Sequence, residues 1–279
     1  MYRNQAEKAM AFKALHERPG IFAIPNPWDA GSAQILTQLG FEALTTTSAG
    51  LAFSLGKPDG MAMVSREETF ANVRSIVSAT HLPVAADLEN GFGDAPEDCA
   101  ETILRAAALG LCGGSIEDAT GRPDNPIYSF ELSVARVAAA VAAARSLPVP
   151  FLLTARAENL IHGRPDLPDT IRRLQAYAAA GADVLFAPGL THREEIAAVV
   201  RAVAPKPVNV VMGLNRADFS LRDLEALGVR RVSLGSSLAR AAYGALLHAA
   251  EEIKGEGTFK FAEGAVPYKT FNELFHKPE

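Results

Sequence analysis

The sequence predicts an α/β chain folded as a (β/α)8 TIM barrel, and three observations carry that expectation. Short β-rich runs alternate with helix-like segments, eight of each, from one end of the 279 residues almost to the other. The strand runs are apolar throughout rather than alternating, as parallel strands covered on both faces are. Residues 20–31 hold no GxGxxG turn, which a doubly wound dinucleotide-binding sheet would normally place after its first strand.

In order, the strand runs are GIFAIPN (20–26), EALTTTS (42–48), LPVAADL (82–88), GGSIED (113–118), PFLLTAR (150–156), ADVLFAP (182–188), PVNVVMG (207–213) and VRRVSLG (229–235). The helical segments between and after them are AGSAQILTQLG, SREETFANVRSIVSAT, PEDCAETILRAAALG, SFELSVARVAAAVAAARS, PDTIRRLQAYAAAG, HREEIAAVVRAVA, SLRDLEALG and SSLARAAYGALLHAAEEI. Ser65 with Glu68 forms a capping box, and Glu67 adds charge to the same first turn, where the helix dipole favours it. Gly110, Gly181 and Gly228 each close an apolar-periodic segment, the place for a left-handed residue. Residues 1–255 are assigned to the barrel and an N-terminal helix. Residues 256–279, rich in Phe and Tyr, form an extension expected to dock on the barrel or on a neighbouring subunit.

Composition narrows the functional classes. A formal charge of -5 gives no reason to expect nucleic acid as a partner. No run approaches about 18 apolar residues, so no membrane span is expected, and the N-terminal stretch lacks the apolar core of a secretory signal. Cys99 and Cys112 belong to no CxxC pair and read as small buried hydrophobes in a reducing cytoplasm.

Barrel chemistry sits where the strands end, so the strand ends name the candidates. The second run ends in Thr46, Thr47 and Ser48, with Ala49 and Gly50 following. The third carries Asp87 and Glu89, the fourth Glu117 and Asp118, the fifth Arg156 and Glu158, and the seventh Asn209. Residues i and i+2 of a strand point the same way, which aims Asp87 and Glu89 together at the mouth, with Glu117 adjacent. Crowded carboxylates repel unless a cation sits among them, and oxygen ligands without His or Cys suit Mg2+ or Mn2+. Arg156 can clamp a substrate carboxylate bidentately, or simply neutralise Glu158 or Glu117. Asp59, in a Pro-Asp-Gly turn, reads as a turn residue. Leu234 to Ser237 reads either as an anion site or as ordinary N-caps. Of the histidines, His162 alone falls near the mouth.

The segments TTSAGLAFSLGKPDG, VAADLENGFGD, SIEDATG, LLTARAENLIHG, AGADVLFAPG, VNVV and SLGSSLARAAYGAL, in this order over residues 20–250, resemble the isocitrate lyase/phosphoenolpyruvate mutase superfamily. The resemblance implies a barrel whose eighth helix is exchanged between subunits, usually in a dimer of dimers. It further implies Mg2+ holding a 2-oxo acid or its enolate while a C–C or P–C bond beside the carbonyl is made or broken. Asp87 and Glu89 match the two acids of the superfamily's strand-three motif, the second being Asp in most members. Glu117 matches its strand-four acid, Arg156 its carboxylate-binding arginine, Asp59 an acid near the metal. Thr47, Ser48 and Ala49 fall on its substrate-binding loop, and Asn209 on a substrate-contacting position. The isocitrate and methylisocitrate lyases carry a Lys-Lys-Cys-Gly-His loop after strand four. Here that region, ATGRPDNPIY (119–128), holds no Cys, Lys or His, and only Arg122 and Asn125 stand where phosphonate-directed members use Lys and Asn.

The expectation is a cytoplasmic, homotetrameric lyase or decarboxylase of the oxaloacetate type, acting on a small 2-oxo (di)carboxylate through a metal-stabilised enolate. Asp59, Glu117 and Arg156 are its catalytic candidates, Thr47, Ser48, Ala49, Arg156 and Asn209 its substrate contacts, and Asp87, Glu89 and Glu117 its metal ligands. Two alternatives stand beside it. One is a mutase or hydrolase of P–C bonds acting on phosphonopyruvate or phosphoenolpyruvate. The other is a 2-oxo acid binding protein with little turnover, which the depleted 119–128 loop favours.

Overall fold

The computed structural model describes residues 4–213 and 218–276. Eight parallel strands, β1 (Phe22–Ile24), β2 (Leu44–Thr45), β3 (Val84–Asp87), β4 (Gly113–Glu117), β5 (Leu152–Arg156), β6 (Val184–Phe186), β7 (Val208–Val211) and β8 (Arg231–Ser233), lie in the order β1-β8-β7-β6-β5-β4-β3-β2. Each strand neighbours its successor, whereas a doubly wound sheet reverses its order at a switch point. The ring closes where the Thr45 N–H donates to the Pro25 carbonyl at 3.1 Å. The fold is therefore the (β/α)8 barrel.

Around it run α1 (Gln5–Glu17), α2 (Ala30–Gln38), α3 (Ser48–Ser54), α4 (Arg66–Ala79), α5 (Pro96–Ala108), α6 (Phe130–Arg145), α7 (Leu167–Ala179), α8 (Arg193–Val203), α9 (Leu221–Ala226), α10 (Ser237–Gly255) and α11 (Tyr268–Phe275). The capping box of Ser65 and Glu68 is formed at the start of α4. Gly110, Gly181 and Gly228 take φ of 94°, 104° and 86°, as the stop signals require. α3 is absent from the sequence pattern. The substrate-loop stretch after β2 is instead a short helix capped by the Thr47 hydroxyl, which accepts from the Gly50 N–H at 3.1 Å. Gly50 allows the close approach, since a Cβ there would stand 2.5 Å from Thr47 and 2.9 Å from Trp28.

The strands bury two faces in two different cores. Outward residues such as Val84, Leu153, Leu185, Val210 and Val232 pack against the helical ring. Inward residues Phe22, Ile24, Ala43, Ala85, Cys112 and Leu152 pack with Ala9, Phe12 and Leu15 of α1, so α1 plugs the N-terminal end of the barrel. Side-chain hydrogen bonds fasten the plug, from Gln5 to the Ala107 and Leu111 carbonyls and from Lys8 to the Thr80 carbonyl. Phe12 is completely buried, and truncating it to Ala would cost roughly 3–5 kcal/mol. Cys99 and Cys112 are free and buried, and burial pushes both thiols up to about 11.

The eighth helix behaves differently from the others. α5 and α6 bury whole faces, while α10 buries Ala239 in its first turn and leaves Leu246, Leu247 and Ile253 exposed. Beyond it α11 lies against α2, and Phe259, Phe261, Tyr268, Phe271 and Phe275 remain exposed. Residues 1–3 and 277–279, the outer ends of the two assigned segments, lie outside the described residues. Among the described residues no helix is long and apolar enough to cross a membrane.

Candidate active site

Parallel pairing puts Glu117, Arg156, Phe186, Asn209 and Arg231 in one row, each the register partner of the next across β4 to β8. Residues paired this way share a face, and here the face is the barrel interior. All but Glu117 help line a cavity of about 180 Å³ at the C-terminal mouth. Its lining includes Thr47, Ser48, Ala49, Asp59, Asp87, Arg156 and Asn209 from the sequence candidates. That volume is below the ~300–1,000 Å³ usual for drug-sized ligands, so it suits a molecule of few carbons.

Arg156 is the hub of the rim. Its Nη1 stands 3.0 Å from Asp87 and 3.2 Å from Glu117, and its Nε 2.8 Å from Glu158. Burial opposes its charge, yet Glu158, Glu117 and Asp87 hold the guanidinium well above its usual range. Of the two roles open to it, neutralising its neighbours is the one made in this structure. The acids outnumber it. Burial, Asp87 and Asp59 push Glu89 up to about 8. Burial and Asp87 raise Asp59. Burial raises Glu117 far more, against the pull of Arg156.

Glu89 reaches this cluster by another route than strand pleating. β3 ends at Asp87, and Glu89 takes a left-handed φ of 47°. Its N–H donates to Asp87 at 3.2 Å and its carbonyl accepts from the Glu117 N–H at 3.0 Å. Glu89 and Glu117 lie beside the cavity, outside its lining. The loop then turns through Gly91 at φ 80° and Phe92 at φ 62°. A Cβ on Gly91 would stand 2.9 Å from the Cys99 sulfur. Arg136 of α6, buried against the Tyr128 ring, pins this loop by donating to the carbonyls of Asn90, Gly93 and Asp94.

Ser48 donates through its hydroxyl to Asp87 at 3.0 Å, which ties the first turn of α3 to the acid cluster. Both ends of the Asn209 amide are engaged, the oxygen by Arg231 at 2.8 Å and the nitrogen by Ser233 at 2.9 Å. The N–H groups of Leu234 and Gly235 are taken by the Asn26 side chain, so this strand end offers no open anion nest. Neither of the next two serines caps α10 with its side chain; Ser237 donates instead to the Leu234 and Met212 carbonyls.

The 119–128 segment folds back on itself through an Ala119–Ile127 bridge. Arg122 pairs with Asp94 at 3.0 Å, and Asn125 is exposed, so neither lines the cavity. His162 is half-buried beside the cluster, its charge disfavoured by burial.

A family model described as phosphoenolpyruvate phosphomutase matches residues 12–254, nearly the whole barrel. The chain belongs to the phosphoenolpyruvate mutase family. A solved structure from Burkholderia cenocepacia J2315, described as a lyase/mutase, is 60% identical, covers 99% of this chain and 98% of its own, and superposes with a TM-score of 0.95. The 2-methylisocitrate lyase of Escherichia coli K12 is 29% identical over 95% of this chain and 90% of its own length. The oxaloacetate decarboxylase of Bradyrhizobium diazoefficiens is 32% identical over 69% of each chain. Named relatives thus include enzymes that cleave C–C bonds.

Within this family member, sequence reasoning missed Asn26, Ser115, Thr154, Arg231 and Ser233 of the cavity wall. Ser115 and Thr154 stand two residues before Glu117 and Arg156, so strand parity alone could have added them. Arg231 carried a signal too, a charge inside a strand run buried on both faces.

Proposed function

We propose that this protein is a divalent-metal-dependent carbon–carbon lyase that decarboxylates a small 2-oxo dicarboxylate of the oxaloacetate type. The observation that carries the reading is the imbalance at the rim, where among the described residues Asp59, Asp87, Glu89, Glu117 and Glu158 surround the one guanidinium of Arg156. Oxygen-only donors in excess of cations are the chemistry of a Mg2+ or Mn2+ site. Among the described residues no three acids, histidines or cysteines stand as a ready-made cage. The reason is visible in the ion pairs: Asp87 and Glu117 are turned onto Arg156, the nearest cation. The donor set fits; Asp87, Glu89 and Glu117 would hold the ion once it competes with that guanidinium.

When bound, Mg2+ supplies Lewis-acid stabilisation of negative charge on the 2-oxo oxygen. The side chains do the rest. Arg156, permanently charged, and the Ser48 hydroxyl hold the anionic head of the substrate at the rim. The narrow cavity excludes bulk water from the reacting carbons. Breaking the C–C bond to the departing carboxylate leaves CO2, and the bonding electrons pass onto the 2-oxo group as an enolate. Asp59 faces that space and holds a proton more readily than an ordinary aspartate, so it is the group assigned to return one to carbon.

The relatives named as 2-methylisocitrate lyase and oxaloacetate decarboxylase support C–C chemistry. Assays of oxaloacetate for pyruvate release, with phosphonopyruvate and 2-methylisocitrate in parallel, test the reading. Pyruvate from oxaloacetate, lost on chelation and restored by Mg2+, is the expected result; phosphate release from phosphonopyruvate would select P–C chemistry instead. A second reading, a 2-oxo acid binder with little turnover, is favoured by the 119–128 segment, whose Arg122 is committed to Asp94. Tight binding without turnover of any of these compounds would select it. The exposed apolar flank of α10 supports exchange of this helix between subunits, in a dimer of dimers, testable by light scattering.

A further inference from the structure

The geometry points to Arg231 as the receptor for the far anionic group of the ligand, so that the cavity takes 2-oxo acids bearing a second carboxylate in preference to uncharged analogues of the same shape. This rests on reading the mouth as a 2-oxo acid site. Arg231 opens β8, two residues below Ser233, and its side chain lies inside the barrel at 6% exposure. It is part of the cavity wall that also includes Asp59, Asp87 and Arg156.

What sets it apart is the company it keeps. The other deeply buried arginines all face negative charge: Arg156 has Asp87, Glu117 and Glu158; Arg173 has Asp118 and Asp169; Arg136 has a fan of carbonyls with Asp94 nearby. Arg231 meets only neutral acceptors. Its Nε donates to Asn209 at 2.8 Å, Nη2 to Thr154 at 2.9 Å and Nη1 to the His16 Nε2 at 3.3 Å. Among the described residues no carboxylate pairs with it, and an N–H on each terminal nitrogen is left for a ligand.

The neutral partners are arranged to aim the charge rather than cancel it. His16 Nδ1 faces the Phe12 carbonyl at 2.8 Å, an atom that only accepts, so the ring proton is on Nδ1 and Nε2 accepts from Arg231. Burial and the Arg231 charge hold that imidazole down to about 3, neutral at physiological pH. Burial brings the Arg231 guanidinium down to about 9, still charged. A fixed, desolvated cation at the closed end of a small polar cavity attracts a compact anion strongly, because little solvent screens it. Burying a charge without a counter-charge is costly, and the cost is removed when a ligand carboxylate arrives.

The test uses the full-length protein with Mg2+ and calorimetric titration of matched pairs. These are 2-oxoglutarate against its 5-amide, read at equilibrium, and oxaloacetate against its 4-amide, read as KM where oxaloacetate turns over, with pyruvate as the ligand lacking a distal group. Wild type should bind the better-fitting dianion roughly 30-fold or more tightly than its amide, the scale of a buried charge-assisted hydrogen bond. Arg231→Gln should reduce that ratio to near one and leave pyruvate affinity within about threefold, which also reports that the mouth is intact. Arg231→Lys should retain part of the preference. A wild-type ratio near one, or a preference kept by Arg231→Gln that still binds pyruvate, would overturn the assignment while leaving the site reading in place. The wild-type ratio decides even if the glutamine variant does not fold. Failure of wild type to bind any of these compounds would bring down the 2-oxo acid reading and this inference with it.

Discussion

Arg156 and Arg231 lie in one row of the barrel, three strands apart, and their surroundings are opposite. At the rim one guanidinium stands among five carboxylates; toward the plugged end another stands among an amide, a hydroxyl and an imidazole. Among the described residues the rim is short of positive charge and the floor is short of negative charge. On the proposed function, a metal ion at one end and an anionic tail at the other would relieve both, and a 2-oxo dicarboxylate held by the ion would bring the two together. The same residue type therefore has different consequences when altered at the two places.

Sharpening the contrast begins with the metal. Exhaustive chelation is expected to abolish turnover, and Mn2+ or Mg2+ to restore it; activity that survives chelation would remove the rim from the mechanism. Next in size, Arg156→Gln leaves buried acids without their cation. Loss of stability by about 3–5 kcal/mol is expected in denaturant titrations without metal, with part of it recovered on adding Mg2+. An unchanged midpoint would mean that the acids are protonated and indifferent to Arg156.

Glu89→Gln should weaken Mg2+ binding by roughly 10- to 100-fold, read by calorimetry. Unaltered affinity would take Glu89 out of the ligand set. At neutral pH the smallest effect belongs to the floor. The His16 imidazole is held near 3 in the folded chain against 6.5 when free. Above pH 6.5 both states are neutral and the group contributes nothing. Below it the unfolded chain takes a proton that the folded one refuses, so stability falls as pH drops toward 3, by up to about 1.4 kcal/mol per pH unit. His16→Gln should remove that one-proton slope from the pH profile of unfolding; an identical profile would show that His16 titrates normally and does not neutrally support Arg231.

Much of the fold is legible along the chain because local rules and tertiary demands agree. The Ser65 capping box and the left-handed glycines at 110, 181 and 228 mark ends that the barrel also requires. The uninterrupted apolar strand runs say that both faces are covered, and both are. Where signals conflict with context, the reading slips. Thr47-Ser48-Ala49-Gly50 looks like a β-branched strand end running into a loop, yet the hydroxyl of Thr47 caps a helix there. Asp87 and Glu89 look like a pleated pair, yet Glu89 joins the cluster through a left-handed turn.

By itself the sequence determined the alternation of elements, the barrel, the two-faced burial of its strands and the residue types collected at the strand ends. These follow from periodicity, caps and composition, which are properties of neighbours in the chain. Only the tertiary structure decided which charges meet: that Asp87, Glu117 and Glu158 converge on Arg156, that Arg122 is drawn away to Asp94, and that Arg231 faces His16 from 215 residues away. The physical reason is that a buried charge is set by whatever the ring of strands brings within a few ångströms, and those partners are remote in sequence.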